Sequence, residues 1–499
     1  MSSAHTMNAS ADRPPYSIRS RATAVSSCVA RVRGATLALL AGVVGCGAGR
    51  AQETAMDREA QLAIVTRIGA LLEEQYVSPT VGKQCAQQLR SMAEAGAFAA
   101  FASAEPFAAR VTEVLRELGN DQHLLVRVRA KPPAAPATTD QPVPPLHEHM
   151  RRLLRDRELN FGFERVERLE GNVGYLDLRY FAAPWVAQPT AIAAMAVLAN
   201  ADAVIFDLRQ NQGGMPGMVQ FLCSYLFVER THLNSLYFRE GDRTDEFWTH
   251  DVPGRRMPEV PVFVLTSAAT FSAAEEFCYD LRTRGRATLV GEQTRGGANP
   301  GRLLSIDGRF EMVVPTGRAI NPVTGTNWDG VGVTPHVAVA SEKALDAALE
   351  LARAAAETHR VALRALLARV ETAHLEALRL DDDKQSEGAA KALTAALVEA
   401  QRAGLLDEGQ VNMFGYELLG QGRHALAVAA FACNVAAFPG SGNAHDSLGE
   451  ARKAAGDITG AIACYERALE LDPNGPNSTA ARAVLAELRR ARTGSGDGK

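Results

Sequence analysis

The chain has 499 residues, 46% hydrophobic and 22% charged, with a net charge of −4. That length predicts more than one domain, and the composition is that of an ordinary globular protein rather than a fibrous or disordered one. The small acidic excess and the lack of a long basic run exclude nucleic acid as an expected partner.

Residues 1–51 read as a targeting segment rather than domain material. Arg19, Arg21, Arg31 and Arg33 supply a positive region, and 34–47 is apolar but too short for a stable span. Ala48-Gly49-Arg50-Ala51 offers small residues for cleavage between Ala51 and Gln52. The expectation is an exported protein, periplasmic or in the cell envelope. Val43-Val44-Gly45-Cys46 is similar to a bacterial lipoprotein box, so membrane attachment is expected only if Cys46 is lipidated. No later stretch is long and apolar enough for a transmembrane helix.

The seven cysteines are Cys28, Cys46, Cys85, Cys223, Cys278, Cys433 and Cys464. None of the spacings is CxxC, so no zinc site or disulfide framework is legible, and no metal or cofactor is expected. Pairing of Cys433 with Cys464 stays open.

Residues 53–130 read as an N-terminal helical domain that ends in a strand. Ile64, Ile68, Leu71, Leu72 and Tyr76 keep helical spacing, and 124–128 alternates as a strand does. The stretch 131–160 is expected to be a linker, opening with the Pro/Ala/Thr-rich KPPAAPATTDQPVPP. From 161 to 358 the pattern is α/β. Strands are expected at 173–178, 203–208, 261–265 and 288–291, with helices at 189–200, 215–227 and 273–282, and a closing helix at 342–358. Such alternation predicts a largely parallel, covered sheet. A helical connector at 359–405 holds the acidic turn Asp381-Asp382-Asp383. At 406–490, Gly415 and Gly449, Phe431 and Tyr465, and Pro439 and Pro473 share a common offset. A period of about 34 residues is the tetratricopeptide signature. These units either bind a protein partner or are hairpins that pack on the rest and bind nothing.

Two stretches carry chemistry. In 261–300 an apolar strand runs through small and hydroxyl residues into a helical pattern at Ser272. A serine at a strand-to-helix turn is exposed and close to free helix-start amides, including that of Ala273, as an acyl-transfer nucleophile requires. The plainer reading is a helix cap. In 203–217 a buried strand meets Gly213-Gly214, where paired glycines let amides approach an oxyanion or merely make a tight turn.

Four blocks stand in order: DLRQNQGG (207–214), TSAATFSAAEEF (266–277), LVGEQTRGGANPG (289–301) and NWDGVGVTPHVAV (327–339). Together they resemble the tail-specific, C-terminal-processing serine peptidases over roughly residues 60–355. The resemblance is to the branch with the tricorn core and the retinoid-binding repeats of the interphotoreceptor matrix. It implies a ClpP/crotonase-like ββα spiral core with a small N-terminal helical domain, followed here by tetratricopeptide hairpins. Many relatives carry a peptide-tethering PDZ domain after the first strand. The roughly 40 residues between Val128 and Gly171 are too few for one.

The resemblance also implies roles. Many relatives take a lysine base from the block matching 291–297, where this chain has glycines and Arg295; arginine stays protonated and cannot serve. The tricorn-like branch uses a histidine, from a motif resembling Asp121-Gln122-His123-Leu124, which makes His123 the implied base. The tricorn core has a serine where this chain has Gln122. Asp329, where the family often has Glu, is the implied group that orients the imidazole. His336, after Pro335, is a second-choice base. The oxyanion is expected between the Ala273 amide and that of Gly213 or Gly214. Asp207 and Arg209 are read as holding a turn, and Glu275 and Glu276 as acids suited to the first helical turn. The expected function is an exported serine peptidase acting on peptide or protein C-terminal segments. The alternatives are a non-catalytic ligand-binding protein on the same fold and a tetratricopeptide scaffold.

Overall fold

The computed structural model describes residues 56–129 and 146–494. The expected export segment and residues 131–145 of the expected linker lie outside the described residues. Three helices come first: α1 (Arg58–Gln75), α2 (Pro79–Glu94) and α3 (Ala104–Gly119). Asp57 caps α1 by accepting the Ala60 amide at 2.8 Å, and Pro79 after Ser78 starts α2 with a preset φ. α3 ends where Asn120 adopts φ 47° and the chain turns into β1 (Leu125–Val128). That reversal carries Asp121 and His123.

The elements that follow are α4 (Leu146–Glu158), β2 (Phe163–Leu169), β3 (Val173–Leu178), α5 (Pro184–Leu198), β4 (Ala203–Asp207), α6 (Pro216–Cys223), β5 (His232–Phe238), β6 (Arg243–Trp248), β7 (Val262–Thr266), α7 (Ala273–Thr283), β8 (Ala287–Gly291), β9 (Gly301–Ser305), β10 (Phe310–Pro315), β11 (Gly317–Ile320) and β12 (Val337–Ala338). The expected linker therefore ends early, because 146–158 is helical. Leu146, Met150 and Leu154 keep a spacing of four, but this helix buries none of its residues.

Six strands form the main sheet in the order β12-β8-β7-β4-β3-β2. All neighbours are parallel except the edge strand β2. Strands β4 and β7 are buried at every position, as a sheet covered on both faces demands. Phe206 and Val264 face α5, α6 and α7, packing with Leu198, Leu222 and Phe277. Ile205 and Leu265 face the other way, onto α8 (Ala344–Asp382), which presents Ala344, Ala348, Ala352 and Ala356. Methyl-only side chains repeated every four residues let this helix lie close against the strands.

Two smaller sheets complete the core: β11-β5-β6 and β1-β10-β9. Phe310, Met312 and Val314 of β10 join Ile68, Leu72 and Phe107 in one apolar cluster. The N-terminal helices thus share their core with strands from late in the α/β region.

The closing helix expected to stop at 358 continues to Asp382, 39 residues in all. No Gly or Pro interrupts 344–382, so nothing in the stretch breaks the helical ladder. The remaining helices are α9 (Ser386–Arg402), α10 (Glu408–Gly420), α11 (His424–Ala437), α12 (Gly442–Ala454), α13 (Ile458–Leu471) and α14 (Ser478–Gly494). The α10–α11 hairpin recurs as α12–α13 at the offset of 34 that separates Tyr416 from its partner Glu450. A Cβ on Gly415 would come within 2.6 Å of the Phe431 ring, and one on Gly449 within 3.2 Å of Tyr465. Cys433 and Cys464 are free thiols, so they do not pair. The molecule is a mixed α/β core with an N-terminal helical unit and C-terminal helical hairpins.

Helix α7 buries two acids one turn apart. Glu276 accepts from Asn234 Nδ2 at 3.2 Å, and Asp280 accepts from Asn321 Nδ2 at 3.1 Å. Burial pushes the Glu276 carboxyl up to about 7, and burial together with Glu276 pushes Asp280 well above the carboxylate range. The folded state therefore holds a proton on Glu276 more tightly than the unfolded chain does. This stabilisation is complete below about pH 4.5 and is lost as pH rises through about 7. Glu276→Gln is expected to gain on the wild type in unfolding midpoint between pH 5 and pH 8. A constant gap between the two proteins across that range would refute the assignment.

Candidate active site

Ser272 stands between β7 and α7 with φ 54° and ψ −122°, a conformation a non-glycine residue holds only when its surroundings enforce it. The enforcement is visible. Thr270 Oγ1 donates to Leu208 O at 2.9 Å, Ser267 Oγ to Arg209 O at 2.5 Å, and the Phe271 amide to Asn211 O at 3.1 Å. Glu275, fully buried, accepts the Ser272 and Gly297 amides at 2.9 Å, the Gly296 amide at 2.6 Å and the Thr294 hydroxyl at 2.5 Å. It is a clamp tying the serine turn to the 294–297 loop. The sequence reading, which saw only an acid near a helix start, missed this.

His123 reaches the same point from the turn after α3. Its Nε2 lies 3.2 Å from Ser272 Oγ, and its ring packs on Phe271 with centroids 4.6 Å apart. The glycines that replace the lysine of many relatives make this possible. A Cβ on Gly297 would sit 2.8 Å from His123 Cε1 and 2.2 Å from the Phe271 ring. Arg295 lies outside, with its guanidinium 5.0 Å from the Phe271 centroid. Burial lowers the His123 pKa below the ordinary histidine value, opposed by Asp121 and reinforced by Arg116 and Arg295. This favours the neutral imidazole, the form that can accept the serine proton.

Two carboxylates lie behind the imidazole. Asp121 Oδ1 accepts the His123 amide at 2.9 Å and stands 3.8 Å from His123 Nδ1. Its Oδ2 accepts the Tyr76 hydroxyl at 3.0 Å and Asn299 Nδ2 at 2.9 Å. Asp329 accepts the Ala298 amide at 3.0 Å and the same Asn299 nitrogen at 2.7 Å. One ligating atom each from Asp121, His123 and Asp329 lie within 4.8 Å of one another. Asp329 thus enters the cluster without a hydrogen bond to the ring; the nearer acid is Asp121, to which the sequence reading gave no role. The D-x-H spacing was the available signal, since an aspartate readily accepts the amide two residues on. Burial, then the charge of Asp121, pushes Asp329 up to about 7. The three side chains are the one group of acids, cysteines and histidines among the described residues close enough to share a cation. Their oxygens are faced by hydroxyl and amide donors, which suit a carboxylate and not a metal.

Gly213 and Gly214 adopt φ 101° and 141°. The Gly213 amide donates to Asn211 Oδ1 at 2.8 Å and so is occupied. The Gly214 and Ala273 amides donate to no other described residue, so both are open. Gly213 contributes space instead, since a Cβ there would lie 2.7 Å from Ser272 Cβ and 2.9 Å from the Ala273 nitrogen. His336 is exposed and its Nδ1 accepts the Leu289 amide at 2.9 Å, which commits it to β8. Asp207 accepts the Tyr175 hydroxyl at 2.8 Å and pairs with Arg209, which reaches Ser341 O at 2.7 Å, so both hold the turn.

Among the described residues the Ser272 hydroxyl thus faces a histidine nitrogen, at a turn between a strand and a helix of a largely parallel α/β core. Residues 172–339 match the profile of peptidase family S41, and residues 49–156 match the N-terminal domain of peptidase S41 in eukaryotic IRBP. Over these residues the chain is similar to peptidase family S41. It is 30% identical over 141 residues to a carboxyl-terminal-processing protease of Picosynechococcus sp., covering 28% of this chain and 32% of that protein. It is 26% identical over 179 residues to a carboxy-terminal-processing protease of Bartonella bacilliformis, covering 34% of this chain and 40% of that protein. The chain therefore spans well under half the length of these curated relatives. The crystal structure of the tricorn protease aligns with a TM-score of 0.38 at 14% identity, over 61% of this chain and 37% of that one.

Proposed function

We propose that the protein is an exported serine peptidase that hydrolyses peptide bonds in C-terminal segments of peptides or proteins. The observation that carries this reading is the 3.2 Å approach of His123 Nε2 to Ser272 Oγ at a strained turn. As Oγ attacks the scissile carbonyl carbon, its proton passes to Nε2. The carbonyl oxygen takes the negative charge and faces the Gly214 and Ala273 amides. Collapse breaks the C–N bond, and the proton on Nε2 goes to the leaving amine. Water then cleaves the acyl-serine by the same route in reverse order of roles. Asp121 steadies the imidazolium. Its 3.8 Å separation from Nδ1 has to tighten by about 1 Å for a hydrogen bond, as sites without substrate commonly require.

Export and possible anchoring through Cys46 rest on the Arg-bearing apolar N-terminus and are carried by sequence alone. The hairpins at 408–471 are proposed as a tetratricopeptide dock for a protein partner, on the strength of their 34-residue recurrence. The peptidase reading is tested with a serine-directed phosphonate and a quenched-fluorescent casein across pH. Ser272 should be labelled, and the acid limb of kcat/KM should fall below about 6.5, because burial makes the imidazole a weaker base than a free histidine. No labelling and no turnover would favour a binding protein on the same fold.

A further inference from the structure

Tyr76 is the C-terminal cap of α1, in the N-terminal helical unit, yet its hydroxyl donates to Asp121 Oδ2 at 3.0 Å. The residue is 3% exposed. Core contacts on both sides fix where it stands. Arg239 Nη1 donates to the Tyr76 carbonyl at 2.8 Å and to the Glu73 carbonyl at 3.2 Å, and the Val77 amide donates to Pro315 O at 2.8 Å. Burial and the neighbouring Asp121 hold the phenol above the ordinary tyrosine range, which keeps its proton available to Asp121.

The pattern of donors around Asp121 has a direction. Tyr76 and Asn299 both bind Oδ2, while Oδ1 takes the His123 amide and faces His123 Nδ1. His123 Nδ1 is buried and has no hydrogen-bond partner among the described residues, Asp121 Oδ1 at 3.8 Å facing it. Two donors on the far oxygen stop the carboxylate from rotating, so the near oxygen stays beside the ring. With the phenol hydroxyl gone, Asn299 alone would hold Oδ2, and Asn299 is shared with Asp329.

We propose that Tyr76 is a positioning residue of the Ser272–His123 site, so that the N-terminal helical unit completes the catalytic centre by holding Asp121 against the imidazole. The proposal rests on the serine-peptidase reading for its kinetic consequence only. It is tested in the full chain with Tyr76→Phe, which keeps the ring and removes one oxygen. On quenched-fluorescent casein kcat should fall about 10- to 100-fold with KM within about twofold, as loss of one hydrogen bond to a charged group predicts. The acid limb should move to lower pH, because an imidazolium deprived of its counter-charge gives up its proton more readily. The His123 titration, followed by NMR of histidine-labelled protein, should move the same way without any substrate. If Tyr76→Phe leaves kcat and the His123 titration unchanged while Ser272→Ala is inactive, the positioning role is wrong and the peptidase reading stands. If the wild type neither turns over casein nor takes the phosphonate, the peptidase reading fails, and the NMR titration alone decides whether Tyr76 positions Asp121. Should Tyr76→Phe not fold, Arg239→Met keeps the hydroxyl but frees the end of α1, and the same fall in kcat and shift in titration are expected. Wild-type values there would overturn the proposal.

Discussion

Ser272→Ala is expected to lower kcat by at least about 10⁴-fold and to abolish phosphonate labelling. The variant keeps Cβ, and the Glu275 clamp on the residue 272 amide does not involve the hydroxyl, so the turn should survive. What disappears is the atom that His123 Nε2 faces at 3.2 Å. His123→Ala should fall to a similar floor, and the double variant no lower, because nucleophile and base act as one unit. His336→Ala should behave as wild type in turnover, since that ring serves the Leu289 amide. Undiminished hydrolysis by Ser272→Ala would end the peptidase reading. Loss of activity in His336→Ala with retention in His123→Ala would mean that the base is misassigned.

Gly213→Ala is the second large effect, a fall in kcat of about 10²–10³-fold. A methyl there meets the Ser272 Cβ at 2.7 Å and covers the Ala273 nitrogen at 2.9 Å, the donor an oxyanion needs. It also forces a side chain onto φ 101°, at a cost of order 1–3 kcal/mol in stability. Gly241→Ala separates the two causes. Gly241 has φ 75° but nothing within 4 Å of an added Cβ, so that variant should lose stability and keep activity. If Gly213→Ala is labelled by the phosphonate at the wild-type rate, the donor pair lies elsewhere.

Much of the core was legible because its signals are local. Continuous apolar runs at 203–206 and 262–265 announce buried parallel strands, and Ser272 and Gly213-Gly214 follow them where chain direction changes. His123 was reached only through a family resemblance, since a single histidine before a strand has no periodicity to mark it. The choice between Asp121 and Asp329 was not legible. It depends on how α1, the turn after α3 and the loop at 298–299 converge, and no spacing within one element encodes that. The same holds for Tyr76 and for the pairing of β10 with β1, whose partners lie far away in the chain. α4 was missed because a leucine pattern after a proline-rich run resembles the linker it ends. The boundary at 358 was misplaced for the opposite reason: a helix was expected to stop where a domain stops.

The unbroken α8 makes the hairpins an extension of the sheet rather than an independent appendage. At 39 residues it is roughly 60 Å of rod, with its first turns seated on β4 and β7 and its last residues, Asp381 and Asp382, gripped by Arg423 of α11. One continuous helix therefore ties the hairpins to the same strands that lead into the Ser272 turn, so a load placed on the hairpins reaches the sheet without crossing a loop.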